Sequence, residues 1–148
     1  MLDADFQPRV SDFGLYLLLN PAAAQEMLET SAVQGYKAPE LIKMRDATRE
    51  SDIYSLGVIM LEMLAQKEIV NDRPLNARDI HLPASFKDLV LERKISDAFS
   101  SELIKQSKNS GKENLNAYFE LATACCNPSP SLRLDTKKIL KRLEDIAR

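Results

Sequence analysis

Glycine is scarce. Four occur in 148 residues, at positions 14, 35, 57 and 111, and no two stand close enough to form a loop that wraps phosphates. Cysteine is scarcer still: Cys125 and Cys126 are adjacent in an apolar, helix-like stretch, so they offer neither a disulfide framework nor spaced metal ligands. They suit a reducing, cytoplasmic environment. The single histidine, His81, precedes Leu82-Pro83 and reads as a loop residue. No excess charge of one sign is present, with 20 basic against 22 acidic side chains and a net charge of −2, which argues against a nucleic-acid or anionic-membrane binder. No run approaches the roughly 20 apolar residues of a membrane span, and the first residues lack the basic and apolar segments of a secretion signal. What is present is enough for one domain over residues 1–148, since a chain of this length can bury roughly 69% of its unfolded surface. The 45% hydrophobic content agrees.

The pattern along the chain is mostly helical. Residues 1–19 hold two short apolar runs about a turn, Leu2 and then 9–11, with Pro8 as punctuation, and predict a small β-hairpin. Residues 20–31 read as a loop with helical tendency after Pro21. Residues 51–64 differ in kind. Ser51-Asp52 supplies a helix start, and nine of the next twelve residues are apolar, so this helix should be buried on all sides and form the central rod of the domain. Asn71-Asp72, Pro74, Asn76 and Pro83 mark 67–83 as loop, and Phe86, Leu89, Val90 and Arg93 set one face of a helix over 84–94. Residues 105–113 read as an exposed tip. Two helices then close the chain, 115–126 and 135 to the end. Asp135 is the N-cap of the second, Ile139, Leu140, Leu143, Ile146 and Ala147 form its apolar stripe, and Lys137, Lys138, Lys141 and Arg142 form its solvated face.

Four short motifs carry the chemical information: Ser11-Asp12-Phe13-Gly14-Leu15, Gly35-Tyr36-Lys37-Ala38-Pro39-Glu40, Ser51-Asp52-Ile53-Tyr54-Ser55-Leu56-Gly57-Val58, and Pro128 with Arg133. Singly each is weak; in this order and spacing they resemble the C-terminal lobe of a eukaryotic protein kinase, and the wording is most similar to plant receptor-like kinases. The resemblance covers essentially the whole chain. It implies a mainly α, partial kinase-like C-lobe with a short N-terminal β-hairpin.

The resemblance also implies residue roles. Asp12 would hold the magnesium that bridges nucleotide phosphates, Phe13 would dock in an apolar slot, and Gly14 would permit the following turn. Glu40 would pair with Arg133, 93 positions later, a structural tie by a bidentate fork. Asp52 reads either as a simple N-cap or as an acceptor for catalytic-loop backbone. Tyr16, Thr30 and Ser31 lie in the segment that kinases often phosphorylate and are candidate acceptor sites.

Departures from the family pattern bear on activity. The glycine-rich cover, the phosphate-binding lysine and the catalytic aspartate all precede the magnesium motif in the family, yet only eleven residues precede Asp12 here. The expectation is a chain that starts just after the catalytic loop and leaves one apolar side of its central helix open. Ala32 and Val33 replace the usual glycine and threonine, and valine cannot hydrogen-bond to a catalytic aspartate. We therefore expect a pseudokinase-like interaction module, inactive alone, with protein partners such as a receptor kinase complex and no nucleic acid. No cofactor is expected for the chain itself; ATP and magnesium are implied for the family. The alternatives are a truncated piece of an active Ser/Thr kinase and a small helical adaptor with a basic phosphate-binding helix. The expected location is cytoplasmic, with a longer parent at the plasma membrane.

Overall fold

The computed structural model describes residues 1–14, 17–18, 22, 26, 36–42, 47–66, 99, 101–106 and 109–147. Five helices occur among them: α1 (Pro39–Ile42), α2 (Arg49–Ala65), α3 (Ser101–Gln106), α4 (Asn109–Cys125) and α5 (Thr136–Ile146), with a 3-10 turn at Pro130–Leu132. The predicted loop over 67–83, the predicted helix over 84–94 and His81 lie outside the described residues.

The central rod starts earlier than Ser51-Asp52 suggests. Thr48 is the N-cap, in extended conformation, and its N–H donates to the Oγ of Ser51 at 3.3 Å. Ser51 thus satisfies the entering backbone from the third helical position, and Asp52 is left free to act elsewhere. At the other end Gln66 turns into the left-handed region (φ 50°), and its N–H donates to the Glu62 carbonyl at 2.7 Å.

One face of α2 packs along α4, and the tight point of the seam is Gly57. A β-carbon there would stand 2.6 Å from Cys126 Sγ, 2.8 Å from Cys125 Cβ and 2.9 Å from the Ala122 carbonyl oxygen. Glycine is therefore required for close helix approach rather than for backbone freedom. Around this point Tyr54, Val58, Leu61, Phe119, Leu121, Ala122, both cysteines and, from α5, Ile139 form the buried core. Phe99 meets Phe119 edge to face, with centroids 6.1 Å apart.

Burial of α2 on all sides is not what the structure has. Ile59 and Met63, one turn apart, are 43% and 59% exposed, so one apolar flank is open while the α4 side is sealed. The predicted tip over 105–113 is likewise corrected. Residues 105–106 end α3, and α4 begins at Asn109, because packing of Leu115 and Phe119 supports a polar first turn that sequence polarity alone reads as coil. In α5 the N-cap is Asp135, whose carboxylate accepts from the Lys138 N–H at 2.9 Å. Leu140, however, is 59% exposed: it lies about 100° around the helix from buried Ile139, off the packed stripe.

The N-terminal β-hairpin is not confirmed. Pairing amounts to a single antiparallel bridge between Leu2 and Pro8, held by the Asp3 N–H on the Gln7 carbonyl at 3.0 Å and the Arg9 N–H on the Met1 carbonyl at 2.9 Å. Asp3 organises this turn instead, accepting from the N–H groups of Asp5 and Gln7 and from Arg9 Nε at 2.9 Å.

The Gly57 seam gives a direct prediction. Gly57→Ala should lower unfolding stability by about 1–3 kcal/mol in urea titration, because one of the blocking atoms is backbone and the helices must separate. Adding Cys126→Ala should recover only part of that loss.

Candidate functional site

Arg133 leaves the end of the 3-10 turn and its side chain is wholly buried. Its guanidinium is almost fully used. Nη1 and Nη2 donate to the two oxygens of Glu40 at 2.6 and 2.7 Å, Nη1 also donates to the Glu50 carbonyl at 2.7 Å, and Nε donates to the Asn127 carbonyl at 2.8 Å. Its face covers the ring of Tyr54 at 5.0 Å. Ser51 Oγ adds a third bond to Glu40, at 3.0 Å. One side chain thus binds α1, the start of α2 and the stretch after α4.

A cleft of about 500 Å³ opens beside this pair, lined among others by Thr48, Arg49, Ile53, Pro130 and Leu134. Its polar floor is already engaged, since Glu40 and Arg133 satisfy one another.

Burial alone would raise the Glu40 carboxyl, but hydrogen bonds from Arg133, its positive charge and the Ser51 hydroxyl outweigh it and hold the group below the usual 4.5. The neighbouring Tyr54 hydroxyl is shifted up, chiefly by burial.

The second cluster joins the first and third motifs. Asp52, one residue after Ser51, accepts the Gly14 N–H on Oδ2 at 2.8 Å across 38 positions. It is not the helix N-cap. Asp12 (φ 59°) and Gly14 (φ 71°) are both left-handed, a conformation that aspartate and glycine tolerate best, and this kink brings the Gly14 N–H to α2. Asp12 itself is exposed, with Ser11 Oγ donating to its Oδ2 at 3.2 Å. Phe13 is not docked in a slot: it is 69% exposed. The bend that turns Gly14 inward leaves the adjacent ring outside.

Among the described residues no group of three or more His, Cys, Asp or Glu could hold a metal ion. Asp52, the nearby carboxylate, is committed to the Gly14 amide. The described residues therefore do not assemble a magnesium site, and Asp12 alone does not make one. Tyr16, Thr30 and Ser31, like Gly35, Ala32 and Val33, lie outside the described residues.

A third tie was not signalled by any motif spacing. Tyr36 Oη donates to Glu62 Oε1 at 2.6 Å, and Ser55 Oγ donates to the Tyr36 carbonyl at 2.8 Å. Ser55 and Glu62 are two turns apart on α2, the only cue the sequence held.

Arg133→Leu should cost about 3–5 kcal/mol by stranding the Glu40 carboxylate, read by chemical denaturation. The folded Glu40 carboxyl is more acidic than the unfolded one, so its contribution is complete above about pH 4.5 and is lost as pH falls through the lower folded value. The native chain should therefore lose stability as pH falls below about 4.5 more steeply than Glu40→Gln, which lacks that titration. Asp52→Ala should remove the Gly14 partner, and amide exchange by NMR should show Gly14 protection falling while the α4 amides keep theirs.

Comparison with known proteins places the chain in a family. Residues 1–143 match the protein kinase domain family. From Arabidopsis thaliana, "Probable leucine-rich repeat receptor-like protein kinase IMK3" is 35% identical over 146 residues, covering 99% of this chain and 18% of the relative. The inactive leucine-rich repeat receptor-like serine/threonine-protein kinase At5g24100 is 34% identical, covering 94% of this chain and 22% of the relative. Among solved structures, the pseudokinase domain of BIR2, described as an immune regulator of the RLK/Pelle family, superposes with a TM-score of 0.71 at 26% identity, over 99% of this chain and 41% of that one. The chain thus spans about a fifth of the length of these curated relatives. With a kinase-like helical fold and its order of motifs, the chain belongs to the protein kinase domain family, and the relatives it is similar to are receptor-like kinases and inactive members.

Proposed function

We propose that this polypeptide is a kinase-like platform that binds protein partners and does not itself transfer phosphate. The observation that carries the reading is a contrast between its two clusters. The Glu40–Arg133 tie is buried and almost fully engaged, whereas Asp12 is exposed, with no cluster of metal-ligating groups around it among the described residues, and Phe13 is exposed to solvent. Phosphoryl transfer depends on positioned charge around the nucleotide, and a lone exposed aspartate supplies little of it. Ala32-Val33 in place of the family's glycine and threonine support the same reading, as do relatives described as inactive. Partners would be proteins, with a receptor kinase complex as the expected setting and the cytoplasmic face of the plasma membrane as its location. Among the described residues no helix is long and apolar enough to cross a membrane. The exposed Ile59 and Met63 flank supplies apolar contact area for association.

A second reading, a piece of an active Ser/Thr kinase, draws on the intact Asp12-Phe13-Gly14 motif and on the relatives named as kinases without qualification of inactivity. The coding sequence immediately upstream of Met1 separates the two, and an assay on the chain tests the first. With magnesium, labelled ATP and a generic protein substrate, the 148-residue chain should transfer no phosphate, and calorimetry should give no ATP-binding heat. Turnover that disappears in Asp12→Asn would overturn the proposal.

A further inference from the structure

We propose that the cleft beside Arg133 and the basic face of α5 form one docking groove for a short segment of a protein partner, an apolar side chain next to two or three acidic ones. The inference rests on the reading of the chain as a partner-binding platform. Lys137, Lys138, Lys141 and Arg142 are all exposed on α5, and no acid stands between them in sequence. Helix formation alone favours a different arrangement. Lys137 and Lys138 occupy the first turn, where the helix dipole disfavours cations, and Lys137–Lys141 and Lys138–Arg142 are like-charge pairs four residues apart. Of the four, only Lys138 has an ion pair among the described residues, to the Asp135 carboxylate at 3.3 Å. Glu144 and Asp145 follow in the last turn, yet among the described residues no ion pair joins either of them to Lys141 or Arg142. Three basic side chains are thus open to an anionic partner without the loss of a native ion pair.

The cleft supplies the apolar half. Its volume of about 500 Å³ is in the range of ligand pockets, and Ile53, Pro130 and Leu134 give it apolar walls. The acids that line it are engaged: Glu40 by Arg133, Glu50 by Arg49 at 3.9 Å, and Asp135 by the Lys138 N–H and side chain. Asp135 both lines the cleft and caps α5, so its pair with Lys138 marks where the apolar hollow passes into the basic face. From Lys137 to Arg142 the helix rises about 7.5 Å, roughly the reach of two or three extended residues, which sets the length of the acidic run. Charge then selects among anionic partners. The whole chain carries a net charge of −2, so a long polyanion or an anionic bilayer meets acidic surface as well, whereas a short peptide meets the basic rows alone.

The test is fluorescence anisotropy on the 148-residue chain with a labelled peptide in which one leucine is flanked on each side by three glutamates, joined to backbone NMR. Saturable binding is expected, with shifts at Ile53, Leu134 and residues 137–142, and with affinity that falls as salt is raised. Lys141→Glu combined with Arg142→Glu, both at exposed helical positions, should weaken binding about tenfold while circular dichroism stays native. Replacing the peptide's leucine by serine should also weaken it about tenfold, because the cleft then loses its apolar occupant. Absence of saturable binding, an unchanged affinity in the double variant or without the leucine, or association with phosphatidylserine vesicles in place of the peptide would each overturn the proposal. Phosphate transfer by the chain overturns the platform reading instead and leaves the peptide readout unmoved.

Discussion

The buried Arg133 guanidinium is the constraint that fixes how the other parts meet. Desolvating an arginine and a glutamate together is expensive, and only a nearly complete set of partners offsets it. Here the partners come from three separated stretches, Glu40 in α1, the Glu50 carbonyl in the first turn of α2 and the Asn127 carbonyl after α4. A different register of any one would strand a charge, which makes the tie a selector among arrangements more than a source of net stability. Hydrophobic residues of the same volume could supply equal or greater stability there; they could not demand this particular meeting of α1, α2 and the chain after α4.

Tyr54 connects that polar tie to the apolar seam. Its ring lies under Arg133, and its carbonyl accepts from Cys126 Sγ at 3.7 Å, one residue beyond the helix that presses on Gly57. Burial pushes the thiols up, to about 11 for Cys125 and about 12 for Cys126, so both are neutral at physiological pH and act as small apolar groups. That is a packing role: the thiols fill the space opposite a glycine, where larger side chains would force α2 and α4 apart. The polar tie and the seam are therefore two ends of one contact surface on α2, and the sequence Tyr54-Ser55-Leu56-Gly57 serves both.

The legible part of the sequence was the part where local chemistry and burial agree. The mostly apolar run after Asp52 reads as a core helix, which the structure seals on its α4 side, and Asp135 reads as a cap and is one. The resemblance to a kinase C-lobe named Glu40 and Arg133, which the structure brings into contact; no pattern within either segment could have done so across 93 positions. Where the reading failed, tertiary contacts decided. Polar residues at 109–113 wind into α4 because Leu115 and Phe119 anchor the helix behind them, and the hairpin shrinks to one bridge because Asp3 satisfies the turn from its side chain. Asp52 was ambiguous in sequence for a simple reason. An aspartate near a helix start suits the helix dipole whether or not its carboxylate is used elsewhere.

Use elsewhere is what separates form from chemistry in this chain. Folding forces act on buried groups, so Glu40, Arg133, Gly57 and the thiols are held by the stability of the domain itself. Asp12 and Phe13 are exposed, and the described structure gains little from either side chain; what it holds is the Gly14 amide between Asp52 and the left-handed bend. The domain can keep its shape while Asp12 and Phe13 vary, because the two sets draw on different interactions. The same separation leaves the surface at Ile59 and Met63 able to change without touching the ties that set the helices in place.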